Sequence, residues 1–414
     1  MMKSRNVYRV KYFACLIIGL LVIPAFAAAE GTDVEIRYFA RGKKVIPFTY
    51  DLGSWRVTDI KLPDLVVTNR QKRKIEIESI DVIGRAAGSE AVRYKIRAGE
   101  MAELISQKAK AINANPPLFF VRTEHGDVVM PDGPVSEGPV VVPGASVMLP
   151  LASVLYVHHV GHQRIDRLQL DISIRSGGKK KLHSVPVALT FYEVKGKYIF
   201  PLKGDVHMGN LAANILHHRN ASSQEFAFDA VGAAVGGAES FTDSSTPNPR
   251  KLSDFAIWGR DVLAIGEGTV VDVADRFPEE RMSDLAKVIT PGYTMSLIME
   301  LVDKIGPGNS LAGNYITIDH GNGEFSMYCH LKEGTIRVKA GQKVAKGEVI
   351  AQVGNTGNSS EPHLHFQLMD SRDFFRANGL PVMFENIPSE DVIATYRIKT
   401  NVLGFSDNLY STVR

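Results

Sequence analysis

"EPHLHFQL", residues 361–368, decides how the second half of this chain is read. Two histidines, His363 and His365, are separated by one leucine. On a β-strand, residues i and i+2 point to the same face. His363 and His365 would then stand side by side, with Leu364 and Phe366 turned the other way into a core. Such a pair can hold a metal, share a proton, or form a polar face.

The surroundings are β-rich. "NYITIDHGNGEFSMYCHL" at 314–331 is two alternating runs around "GNG", which reads as a hairpin turn. "VKAGQKVAKGEVIAQVG" at 338–354 places Gly341 and Gly347 in tight turns between short strands. Upstream, "DVEIRYFA", "KIEIESIDVIG", "AVRYKIRAG", "LQLDISIRS" and "VPVALTFYEV" are further short strands, rich in Val, Ile, Tyr and Phe. "ISQKAKAINANPP" reads as one short helix. The sequence therefore predicts a mainly β protein. A β-sandwich-like domain over 30–200 precedes an antiparallel β-sheet domain over 201–385, and 386–414 form a tail. An insertion at 275–312 interrupts the second domain. Its piece "TMSLIMELVDKIG" sets Met295, Ile298, Met299, Val302 and Ile305 at helical spacing and stops at Gly306. The spacing predicts a helix packed on the sheet, or alternatively a lid over a groove.

Residues 1–29 read as a secretory signal peptide: Lys3, Arg5, Arg9 and Lys11, a short apolar run, then "AFAAAE". That predicts an exported protein, periplasmic or extracellular, touching a membrane only through the signal. The formal charge of +3, less those four basic residues, leaves −1 for the remainder, which gives no basic excess for nucleic acid. Cys15 leaves with the signal, so Cys329 has no intrachain disulfide partner.

Chemistry-bearing residues cluster late. His217 and His218 end "NLAANILHHR", and Asp229 closes "EFAFD". In that short strand Phe226 and Phe228 face one side, Ala227 and Asp229 the other. Neutral imidazole and carboxylate are good zinc ligands, and a catalytic zinc keeps three protein ligands. One histidine of 217/218, Asp229 and one histidine of "HLH" make such a set. The other, together with His330 in "SMYCHL", could do acid–base work. "VHHVGHQRID" holds His158, His159, His162 and Asp166, but reads as strand and exposed loop rather than a helical metal site. Cys329 beside His330 is expected to face away from it, because strand neighbours alternate.

Taken together, residues 314–368 closely resemble the catalytic core of the M23 peptidases, the lysostaphin- and LytM-like zinc endopeptidases. The resemblance rests on Gly313-Asn314 before a strand, Tyr328-x-His330-Leu331 and the Val-x-x-Gly-x-x-Val-x-x-Gly of 338–347. It rests also on Gly-Asn-x-Gly-Asn at 354–358 and Pro-His-Leu-His-Phe at 362–366. It extends over roughly residues 205–385. It implies that His365 is a zinc ligand and that His363 and His330 are catalytic, with one zinc per chain. Most members supply the other ligands from His-x-x-x-Asp. Here eleven positions separate His218 from Asp229, as in a variant with a longer turn, and His218 is taken as the ligand because Arg219 follows it. The implied function is hydrolysis of peptide bonds in peptidoglycan stems or cross-bridges. A non-catalytic or auto-inhibited wall-binding protein, a protein regulator that opens the site, and a protease of protein substrates stand as alternatives.

Overall fold

A computed structural model describes residues 33–39, 43–52, 54–114, 131, 133–204, 206–209, 218, 222–232, 251–288, 290, 292–387 and 412–413. The proposed signal peptide, His217 and most of the tail lie outside the described residues. No helix among the described residues is long and apolar enough to cross a membrane.

The amino-terminal half is built from three antiparallel sheets. Strands Val34–Tyr38, Leu65–Asn69 and Ser146–Leu149 form one, and Phe48–Leu52, Trp55–Lys61 and Tyr156–Gly161 a second. The third centres on the pair Ile75–Ala86 and Arg167–Ser176, flanked by Ser89–Arg97 and Lys179–Val187. Alternation explains the arrangement. Ile75, Ile77, Leu170 and Ile172 are fully or almost fully buried, while Glu76 is exposed. Their inward faces share one core with Leu65, Val67, Val147 and Val157, so the sheets pack face to face. The predicted helix is present as Ala102–Ala114, with Ile105, Ala109 and Ile112 buried at i, i+4 and i+7.

The second half is dominated by a nine-stranded antiparallel sheet. Its strands include Phe228–Gly232, Gly268–Ala274, Asn314–Asp319, Phe325–Leu331 and Leu364–Met369, in the spatial order 268–274, 314–319, 325–331, 364–369, 228–232. The expected hairpin at "GNG" joins 314–319 to 325–331, with Gly321 and Gly323 at φ of 75° and 83°. One sheet face carries Phe228, Ile316, Tyr328, Leu364 and Phe366 into a large core. Each of the larger apolar side chains there contributes roughly 2 kcal/mol by leaving water. The opposite face carries Asp229, Thr317, Cys329 and His365, as the strand registers require.

Two amino-terminal segments belong to this second core. Ile46, Phe48, Tyr50 and Val57 enter it from one side, and Tyr198, Phe200 and Leu202 from another. Lys43 forms a buried ion pair with Glu225, and Lys44 Nζ lies 2.5 Å from Asp370 Oδ2. The carboxylate of the fully buried Glu324 accepts hydrogen bonds from Tyr192 and Tyr198 hydroxyls, the Lys195 and Gly196 amides and Asn322 Nδ2.

The insertion is helical, with Tyr293–Ile305 ending at Gly306 as expected. Of the predicted stripe, Ile298 is buried and Met299, Val302 and Ile305 are half-buried, while Leu297 and Leu301 are buried beside them; the Met295 side chain is outside the described residues. The period was readable, and the buried face extends from that stripe toward Leu297 and Leu301. The helix packs on Phe277, Met282 and Val288, so the insertion makes its own small core instead of lying on the sheet. A second short helix, Pro307–Ala312, then leads into the strand Asn314–Asp319.

Candidate active site

The strand Phe228–Gly232 lies beside Leu364–Met369, with Asp229 opposite His365. That register sets the carboxylate against the imidazole: His365 Nδ1 is 3.0 Å from Asp229 Oδ1. His218 reaches the other carboxylate oxygen, with Nε2 2.7 Å from Oδ2. Ligand atoms of His218, Asp229 and His365 all lie within 4.8 Å of one another, and no other such group of three occurs among the described residues. Tetrahedral zinc with bonds near 2.1 Å holds its ligands roughly 3.4 Å apart, and two imidazole nitrogens plus one carboxylate are the donor types it takes. The set fits zinc, and three protein ligands leave a position open.

His363 sits just before the strand rather than in it. Its Nδ1 donates to Glu361 O at 2.8 Å, and its Nε2 is 3.6 Å from Asp229 Oδ1. His330 Nδ1 donates to Thr356 O at 2.6 Å. The two rings are 4.6 Å apart between centroids, and His330 is 5.8 Å from His365. A backbone carbonyl therefore fixes the same tautomer in both, leaving each Nε2 as the basic nitrogen.

His330 reaches this place through an irregularity. Between Tyr328 and Leu331 its strand carries one residue more than its neighbour 314–319, and His330 has φ of 59°. A bulge of this kind re-aims side chains. It corrects the expectation for Cys329. The thiol is buried, pairs opposite His365, and lines the same pocket as His330 instead of facing away from it. Strand alternation fails because the extra residue turns His330 to the face Cys329 already occupies.

Burial by itself would raise the Asp229 carboxyl. The neighbouring His218 and His363, with the hydrogen bonds of His218 and His365, outweigh it and hold Asp229 well below the usual carboxylate range. His330 is held well below the ordinary histidine value, first by burial and then by the adjacent His363 and His365. Burial lowers His365 as well, against the opposing pull of Asp229. Both rings are thus kept neutral, as a ligand or a base requires.

Three supporting residues escaped the sequence reading. Gln367 Oε1 lies 2.9 Å from His365 Nε2, and its Nε2 donates to Met369 Sδ at 2.8 Å. Gln224 Oε1 lies 3.0 Å from His218 Nδ1. Thr356 holds His330 through its carbonyl, while its hydroxyl takes the Asn314 amide and donates to Leu331 O. The Gly-Asn and Gly-Asn-x-Gly-Asn motifs now have a physical reason. A Cβ on Gly313 would sit 2.3 Å from Thr356 O, and one on Gly357 would sit 2.2 Å from the Gly313 nitrogen. Only glycine lets these loops press together and aim Thr356. Gln367 was legible as the residue two after a ligand on the same strand face; Gln224 carried no signal.

The pocket, of about 210 Å³, is walled on one side by Thr294, Leu311 and Ala312 of the insertion. The insertion thus borders the site. Elsewhere His158 lies on a strand and contacts Asp59 at 2.5 Å, and His162 stacks on Trp55, so that histidine run does not converge on a metal site.

Residues 296–377 match the family model described as Peptidase family M23. Peptidoglycan DD-endopeptidase ShyA of Vibrio cholerae is 38% identical over 117 residues, 28% of this chain and 25% of that protein. An uncharacterized metalloprotease of Haemophilus influenzae is 46% identical over 81 residues, 20% of this chain and 15% of that protein. The chain therefore spans a quarter or less of the length of these relatives. The catalytic domain of lysostaphin from Staphylococcus simulans aligns over 30% of this chain and 68% of its own, at 26% identity and a TM-score of 0.20. The similarity to peptidase family M23 thus lies in the segment 296–377.

Proposed function

We propose that this chain is an exported zinc endopeptidase that hydrolyses peptide bonds in peptidoglycan stems or cross-bridges. The observation that carries the reading is the convergence of His218, Asp229 and His365 beside two histidines of fixed tautomer. The similarity to relatives named for peptidoglycan endopeptidase activity supports the substrate. His218, Asp229 and His365 hold the metal. When bound, zinc supplies a Lewis acid that polarises a carbonyl and acidifies water. His363 Nε2, 3.6 Å from Asp229 Oδ1, takes the proton of the attacking water. That proton then passes to the leaving amine from His363 or by way of His330 Nε2, whose ring lies 4.6 Å from that of His363, and while His330 carries it this nitrogen hydrogen-bonds the developing oxyanion. Residues 30–200 form the amino-terminal domain, 201–385 the peptidase domain and 386–414 a tail, and the protein works in the periplasm or outside the cell.

The test is incubation of the zinc-loaded full chain with purified peptidoglycan, following new free amines. Release that stops with a chelator, returns with zinc and is absent in His365→Ala supports the reading. No release at any pH, with zinc confirmed bound, ends it. An auto-inhibited site is a second reading, favoured by the wall that Thr294, Leu311 and Ala312 form. Activity that appears only after limited proteolysis within 283–306 would select it.

A further inference from the structure

A second cavity, of about 460 Å³, lies on the same sheet face as the metal pocket and shares Phe374 with it. Its floor follows from the strand registers. Cys329 stands opposite His365, Met327 follows two residues along the same strand, Thr317 is opposite Met327, and Asp272 is opposite Thr317. Those residues share one face. From the Asp229 strand to the Asp272 strand is four strand spacings, roughly 19 Å, the reach of about five extended residues. Gly308 of the insertion and Arg372 of the loop after Met369 line the cavity as well.

The charges in this groove are not equivalent. Asp272 accepts the Tyr315 hydroxyl at 3.0 Å, and Asp373 accepts the Phe375 amide at 3.0 Å and lies 3.9 Å from Arg376. Both acids already have protein partners. Arg372 is exposed, lines the cavity, and no carboxylate among the described residues pairs with it. Arg372 is the one cation among the lining residues, and the planar fork of its guanidinium suits a carboxylate. Tyr315, Phe374 and Phe375 offer apolar wall beside it.

We propose that this cavity is a substrate subsite, in which Arg372 binds an ionised carboxylate borne a few residues from the scissile bond. The proposal rests on the reading of the chain as a peptidoglycan peptidase and narrows it to peptide arms carrying a free carboxylate. Arg372 does no chemistry; it positions the arm.

The experiment uses the full chain, treated with chelator so that nothing turns over. The probe is one fluorescently labelled, cross-linked stem-peptide fragment from purified wall, before and after its carboxylates are converted to amides. Wild type is expected to bind the ionised probe roughly tenfold tighter than the amidated one, the order of a charge-assisted hydrogen bond. Arg372→Gln should bind both alike, at the amidated level, and Arg372→Lys should recover part of the difference. Equal binding of both probes by wild type, or undiminished discrimination by Arg372→Gln, overturns the subsite. Hydrolysis by the zinc-loaded protein is measured separately. Discrimination without hydrolysis keeps the subsite and removes the peptidase reading, whereas hydrolysis without discrimination does the reverse.

Discussion

Replacing Gln367 by leucine should weaken zinc binding by about 10- to 100-fold without unfolding the sheet. His365 can offer its Nδ1 lone pair only if the ring proton sits on Nε2, and Gln367 Oε1 at 2.9 Å accepts that proton. The amide cannot usefully turn over, because its NH₂ end points at Met369 Sδ, a weak acceptor. Leucine leaves a buried N–H unpaired, at a cost of about 1–3 kcal/mol. The ring then gains by moving its proton to Nδ1, where Asp229 Oδ1 lies 3.0 Å away, and that blocks the metal-facing nitrogen. Loss of such an outer hydrogen bond costs metal affinity by one to two decades, about 1.4–2.7 kcal/mol. The assay is competitive titration against a chromophoric chelator, with circular dichroism to confirm the fold. Gln367→Glu keeps an acceptor and should stay within a few-fold of wild type. An unchanged affinity in Gln367→Leu, or an equal loss in Gln367→Glu, would refute the tautomer argument.

Glu324→Gln should destabilise the protein by about 3 kcal/mol, because an NH₂ group would then face donors that now converge on a carboxylate; a urea midpoint equal to wild type contradicts this. His330→Ala and His330→Gly should both lose about 10²- to 10⁴-fold in peptide cleavage. The glycine variant should be the more stable of the two by about 1 kcal/mol, since it accepts φ near 59° without strain; equal stability would mean that the bulge stores none. For pH, burial holds His330 and His365 below the ordinary histidine value in the fold. The unfolded chain protonates them near 6.5, so below that it binds more protons and stability falls with falling pH. The metal-free protein should show a urea midpoint that drops from pH 7 to pH 5. Asp229 and Glu324, both lowered, contribute stability that is lost only under more acid conditions, outside that window. A flat profile between pH 7 and 5 would count against the neutral-histidine site.

Much of this molecule could be read before its structure. Alternation in "KIEIESIDVIG" and "LQLDISIRS" foretold strands with one apolar face, because side-chain direction on a strand is set by parity alone, but not that the two would pair with each other. Parity also foretold which side of "FAFD" would carry Asp229. It failed at Cys329–His330, where one extra residue resets it, and nothing local in "SMYCHL" announces a bulge. The helix of the insertion showed its period but not its partner, since helical spacing does not say whether the facing surface is a sheet or the insertion's own Phe277 and Met282. Gln224 and Thr356 stayed hidden for a different reason. Each acts through one hydrogen bond to a residue distant in sequence or in an irregular turn, which composition and spacing do not encode.

The contacts of Lys43 and Lys44 have a kinetic side. Lys43 meets Glu225 182 positions later, and the Lys44 amide meets Asn378 334 positions later. Contacts of such separation close slowly, since long loops must be ordered before they are rewarded. Lys43 also grips the loop holding Gln224, which in turn contacts His218. A chain emerging from its amino terminus cannot complete this arrangement until residues near 378 have followed. Assembly of the site therefore waits on contacts that join the two ends of a stretch of more than 330 residues.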